Sequence, residues 1–166
     1  MTHPAKSLMN LISEHFETEW GFSGTRAGMS HTQYEIIRVC LSIGKPAIVR
    51  HGGAHGSDTE FHALWREECP LRFADIWPAD QARVKLFDGQ DHVAMNSVRP
   101  PLTRNEEIVK RSTFLIAAPH SQKEELRSGT WTTVRMARRI HVPVLIVWPN
   151  GVMTLDHEKF LTRIYR

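Results

Sequence analysis

Only two of the 166 residues are cysteine, and Cys40 and Cys69 show no metal-ligand spacing. That excludes a disulfide framework and leaves both as reduced packing residues. No apolar run is long enough to cross a bilayer, so no membrane partner is expected. The opening stretch MTHPAKSLMNLISEHFE lacks a long apolar centre and a small-residue cleavage site. No secretory leader is therefore expected, and the expected location is cytoplasmic. Repeats and low-complexity segments are missing too. Histidine is plentiful, at ten residues, but only His51 and His55 form a close pair beside a glycine turn. Two ligands do not make a zinc site, and neither a metal nor a cofactor is expected. The pattern G-x-G-x-x-G is absent, so a dinucleotide site of that type is not indicated.

What remains is a chain of ordinary globular composition. An apolar content of 41% over this length suits one core and a single domain over residues 1–166. A formal charge of +3 with pI about 9.1 permits anionic partners without demanding them.

The chain is organised around Leu102–Ala137. Arg104-Asn105 opens a helix, and Phe114-Leu115-Ile116-Ala117-Ala118 is a continuous apolar run stopped by Pro119. Such a run suits a strand buried on both faces. Arg127-Ser128-Gly129-Thr130 then leads into a helix at Trp131. A small hydroxyl-glycine turn at a helix start leaves backbone N–H groups free to meet an anion.

Two further glycine turns lie upstream. Residues 1–15 form a short amphipathic helix or arm with Leu8, Leu11 and Ile12 on one face, and a weak strand at Phe16–Phe22 follows. It delivers the chain into a loop containing Gly24, Thr25 and Arg26, where Ser30 is the expected N-cap of a helix over Gln33–Ile43. After a strand at Ala47–Val49, the turn Arg50-His51-Gly52-Gly53-Ala54-His55-Gly56-Ser57-Asp58 precedes a helix carrying Phe61, Leu64 and Trp65. Ser57 or Asp58 can cap that helix, and Asp58 can equally accept a hydrogen bond from a sugar hydroxyl. A third strand is expected at Phe73–Pro78. Residues 79–101 read as a long loop, a lid or a packed surface segment, in which Phe87, His92 and Met95 close over a ligand or pack beneath the loop. The last strand is Val144–Trp148, and residues 152–166 are expected to dock as a short helix through Leu155, Phe160, Leu161 and Ile164. Strands alternating with helices predict an α/β fold, a Rossmann-like three-layer sandwich with a mainly parallel sheet of about five or more strands. All three glycine turns then fall at strand carboxyl ends, where ligands bind in such sheets.

Four ordered motifs carry a family likeness over about residues 19–151. His51-Gly52-Gly53-Ala54-His55-Gly56-Ser57-Asp58 with His62-Ala63-Leu64, Arg104-Asn105 with Ile108 and Ser112, Ser128-Gly129-Thr130, and Trp148-Pro149-Asn150-Gly151 resemble the SLOG superfamily. That Rossmann-like group joins the DNA-processing Smf/DprA proteins with the LOG phosphoribohydrolases. On the LOG side, Arg104 resembles the arginine of M-x-x-R-K-x-x-M, and Gly129-Thr130 the end of P-G-G-x-G-T-x-x-E. The signature glutamate is replaced by Thr133, and His120–Leu126 is inserted ahead of the glycine turn.

The resemblance and the residues together predict a nucleotide-binding protein. The expected ligand contacts are Gly24, Thr25, Arg26, Gly52, Gly53, Asp58, Arg104, Asn105, Arg127, Ser128, Gly129 and Thr130. Arg is suited to bidentate phosphate contact. The alternative is a nucleoside 5′-monophosphate N-glycosidase, with Arg104, Glu106 and Asp58 as catalytic candidates and Glu107 as a further carboxylate. Its oxocarbenium-like centre needs a nearby anion. A third reading is single-stranded DNA binding through Arg135, Arg138, Arg139 and Lys110-Arg111, with Trp65, Trp77 or Trp131 stacking on bases. By resemblance, a homo-oligomer is expected.

Overall fold

A computed structural model describes residues 4–157 and 160–163. Its elements in chain order are α1 (Pro4–Glu14), β1 (Glu19–Gly24), α2 (His31–Gly44), β2 (Ile48–His51), α3 (Ser57–Glu68), β3 (Phe73–Ile76), α4 (Gln81–Phe87) and β4 (Val93–Met95). There follow α5 (Pro101–Lys110), β5 (Phe114–Ala118), α6 (Gly129–Arg139), β6 (Val144–Val147), β7 (Met153–His157) and β8 (Phe160–Arg163).

The sheet runs β4-β3-β2-β1-β5-β6-β7-β8. Its first six members in that order pair parallel, while β7 and β8 are added antiparallel. The expected Rossmann-like α/β architecture is what the chain adopts. Side-chain alternation explains the layers. On β5, Phe114, Ile116 and Ala118 belong to one buried cluster with α1, α2 and α3, whereas Leu115 and Ala117 belong to another with Trp131, Val134 and Ala137 of α6. On β6, Leu145 and Val147 face the first cluster, and Val144 and Ile146 the second. Strands apolar at every position are thus buried on both faces, as the unbroken runs predict.

Strand order reverses between β1 and β5. The chain steps outward from β1 to β4 and then returns through α5 to the other side of β1. The carboxyl ends of β2, β1 and β5 therefore lie side by side, and β1 pairs with β5 up to Gly24 and Ala118. Ser30 caps α2 as expected, in a capping box with Gln33. The Gln33 amide also donates to the carbonyls of Pro119 (2.9 Å) and Val147 (2.8 Å), tying α2 to the ends of β5 and β6.

Three expectations are corrected. Residues 79–101 are not a structureless loop, since α4 and β4 lie within them and Phe87 is part of the core. Residues expected as a C-terminal helix form β7 and β8, paired through Val147↔Met153 and Asp156↔Leu161. The remaining tail, with Ile164, lies outside the described residues. Neither Ser57 nor Asp58 caps α3: Gly56 holds the cap position at φ 76° without a side-chain bond. No described helix is long and apolar enough to cross a membrane.

Candidate functional site

At the switch in strand order, the loops after β1, β2 and β5 and one face of α5 enclose a cavity of about 390 Å³. Gly24, Thr25 and Arg26 line it from β1, and Gly52 and Asp58 from β2 and α3. Arg104 and Asn105 line it from α5, and Arg127, Ser128, Gly129 and Thr130 from the start of α6. The candidates from three separate turns thus meet in one space.

Gly53 is outside that lining. It adopts φ +60°, and a Cβ there would meet the Phe87 ring at 2.9 Å, so it shapes the turn. Glu106 is also outside. It is exposed on α5, pairs with Lys110 at 2.8 Å and flanks a separate depression beside Met136 and Ile140. The helical turn explains the correction: about 200° separates positions 104 and 106, so they cannot serve one cavity. Glu107 pairs with Arg99 and Arg111.

Arg104 is not at a helix start. Pro101 opens α5, and Arg104, three residues on, lays its guanidinium against Gly52. A Cβ at residue 52 would lie 1.2 Å from Arg104 Nη1. Nη1 donates only a long bond to the Trp77 carbonyl (3.4 Å), and Nε has no partner among the described residues. Burial lowers the Arg104 pKa, with Asp58 opposing that shift. Arg26 and Arg127 likewise form no ion pair among the described residues. By contrast Arg38, Arg50, Arg72, Arg99, Arg111, Arg135 and Arg138 all pair with carboxylates.

Asp58 is only 6% exposed. Its Oδ2 accepts from the N–H groups of Gly52 and Ala54, both at 3.1 Å, while Oδ1 takes no protein hydrogen bond among the described residues. Burial raises its pKa, and Arg104, the two amides and Arg83 oppose this. Arg83, itself buried, clamps the same turn from α4 through Nη2 to the Ala54 carbonyl (3.3 Å) and the Thr59 hydroxyl (2.7 Å).

Behind the turn runs a chain of bonds of fixed direction. Gly53 N–H donates to His51 Nδ1 (3.0 Å), which leaves the His51 proton on Nε2 facing His62 Nδ1 (3.0 Å). His62 must then carry its proton on Nε2, which faces Gln90 Oε1 (3.0 Å). Burial holds both imidazoles below the usual histidine pKa.

At the other wall, the Ser128 hydroxyl caps α6 by accepting from Trp131 N–H (3.4 Å). The first N–H groups of α6, at Gly129 and Thr130, therefore have no helical or capping partner among the described residues, and both residues line the cavity. Nothing lies within 4 Å of a Cβ built at Gly129, so packing does not require glycine there. Thr133 lines the cavity and donates to the Gly129 carbonyl (3.0 Å).

His120 and Glu125, both from the inserted segment, line the cavity as well and were not anticipated. The sequence signal for Glu125 is the acidic pair Glu124-Glu125, one residue ahead of Arg127-Ser128-Gly129-Thr130, whereas nothing comparable marks His120. The strand-binding residues fare differently. Arg135 and Arg138 are held by Glu124 and Asp156, and Lys110 by Glu106. Trp65, Trp77 and Trp131 are all buried, which leaves none of them free to stack on a base.

No family model matches the sequence, and no curated protein matches it. Solved structures do match in shape. TM1055, a structural-genomics target, superimposes with TM-score 0.53 at 16% identity, over 76% of this chain and 72% of that one. DNA processing protein A (DprA) from Streptococcus pneumoniae superimposes with TM-score 0.55 at 20% identity, over 79% of this chain. The match spans about half of DprA, 48% of its length. At these identities the likeness is one of fold, and the fold implied by the SLOG resemblance is the fold this chain shares with both proteins.

Proposed function

We propose that the cavity binds a nucleotide, with its phosphate at the N-terminus of α6. The observation that carries this reading is the convergence of Arg26, Arg104 and Arg127, none ion-paired among the described residues, with the free N–H groups of Gly129 and Thr130. Backbone donors at a helix start together with guanidinium groups form an anion site. Burial makes the case stronger for Arg104. A buried charged group with no carboxylate at ion-pairing distance is costly, the more distant Asp58 offsets only part of that cost, and an anionic ligand removes more of it. Asp58 Oδ1 then accepts a hydrogen bond from the neutral part of the ligand.

A second reading, hydrolysis of the N-glycosidic bond of a nucleoside 5′-monophosphate, is supported by the placement of Asp58. A carboxylate with one free oxygen in the cavity can stabilise positive charge developing on a sugar ring.

One experiment separates them. The protein is incubated with ribo- and deoxyribonucleoside monophosphates, with thermal stabilisation and released base both measured. Stabilisation without release supports binding alone. Release that is lost in Arg104→Ala and Asp58→Asn supports hydrolysis. No shift with any nucleotide contradicts both.

A further inference from the structure

The inserted segment between β5 and α6 is anchored far more firmly than a surface loop requires. Arg135 of α6 donates to Glu124 Oε1 (3.1 Å) and to the backbone carbonyls of Glu125 (3.4 Å) and Leu126 (3.0 Å). Arg138 holds Glu124 through both carboxylate oxygens, at 3.2 and 2.9 Å. Two adjacent acids therefore have opposite fates. Glu124 is consumed in fastening the segment to α6. Glu125 pairs with no cation among the described residues, is half-buried and lines the cavity. Its Oε1 accepts from the Ser121 hydroxyl (2.7 Å), and its Oε2 has no protein partner among the described residues.

Asp58 presents the same arrangement from the β2 side. One oxygen is oriented by hydrogen bonds, the other takes none among the described residues, and the residue lines the cavity. Ionised carboxylates only accept hydrogen bonds. Neither is within ion-pairing distance of an arginine among the described residues, so the cavity offers two oriented acceptors that the protein leaves unfilled. A donor pair on the ligand is the complement.

We infer that Glu125 and Asp58 together receive the 2′- and 3′-hydroxyls of a ribose, making the site selective for ribonucleotides over their deoxy forms. This rests on the nucleotide reading above and adds to it the sugar and the residue that selects it. A site built to bond a hydroxyl rejects the analogue lacking it, because its own buried acceptor is then stranded.

The test compares dissociation constants for a ribonucleoside 5′-monophosphate and its 2′-deoxy and 3′-deoxy counterparts. Parent protein, Glu125→Gln, Glu125→Ala and Ser121→Ala are each titrated by calorimetry. The parent is expected to favour the ribonucleotide on the order of tenfold over at least one deoxy form, as loss of a hydrogen bond to a charged group implies. Glu125→Ala should bring the ratio to about one for the deoxy form that lacks the hydroxyl received by Glu125, leaving the preference due to Asp58, and Glu125→Gln should reduce it. Ser121→Ala, which frees the orienting bond, should reduce it less. Equal affinity for all three sugars in the parent overturns the inference while leaving nucleotide binding intact. So does a ratio unchanged in both Glu125 variants, or a preference that follows the base and ignores the sugar. Failure of every nucleotide to bind overturns this inference and the nucleotide reading together.

Discussion

Gly52 has no side chain because the Arg104 guanidinium occupies the space one would take. Any Cβ there must expel a half-buried arginine from the cavity wall. Gly52→Ala is therefore expected to weaken nucleotide binding at least as much as Arg104→Ala, which calorimetry on the two variants checks. Gly129 makes the opposite prediction. Its Cβ position is open and it begins a helix, where alanine is the better residue. Gly129→Ala should melt at or above the parent's temperature, yet bind the phosphate less well because the methyl group crowds the approach to the amides. Asp58 adds a pH argument. Its carboxyl is raised above the ordinary value by burial, so the folded state holds a proton the unfolded chain has already released. Its contribution to stability is present below about pH 4 and is lost as pH rises through the raised pKa. At pH 7 the ionised group is a cost, one an Asn of the same shape does not carry. Asp58→Asn is expected to melt no lower than the parent at pH 7 while losing ligand affinity. A lower melting temperature would show that Asp58 is there for the turn and not for a ligand.

Elements differ in how plainly the sequence announced them. The α2 start was legible because Ser30 and Gln33 are local partners. β5 and β6 were legible because both their faces are buried. α4 and β4 were not, at seven and three residues, too short for a period to stand out. β7 was misread because Leu155 and its neighbours suit a helix or a strand equally, and pairing with the distant β6 decides the matter. A buried Asp156, held at 2.6 Å by Arg138, marks this long-range dependence. The inserted segment hid Glu125 for a related reason: its anchors are arginines on α6, nine or more residues away. Most of the site was legible from glycine and hydroxyl turns, but Glu106 was not separable from its helix neighbours until the facing of α5 was known.

The histidine chain from Gly53 to Gln90 joins β2, α3 and the segment after α4, so its protonation is felt by elements and not by one residue. Burial depresses both His51 and His62, and the arginines nearby add to it. The unfolded chain takes up protons near pH 6.5 while the folded one does not. The stability this confers is complete above that pH and is lost as pH falls below it. Denaturant unfolding of the parent should accordingly show a midpoint that declines between about pH 6.5 and 5, and His62→Asn should show a shallower decline.

For the whole molecule, the decisive feature is that the chain reverses direction across its sheet between β1 and β5. That single topological step brings turns from residues 24, 52 and 129 to one cavity. It was inferable from the alternation of strands and glycine turns, although the strand order itself was not, because order depends on which faces meet. The most direct test is an amide-resolved NMR titration with a nucleoside 5′-monophosphate. The account predicts that the amides of Gly129 and Thr130 shift most, together with those of Gly24–Ala27 and Gly52–Ala54, and that the shifts vanish in Arg104→Ala. Shifts confined to another surface, or none at millimolar ligand, would contradict it.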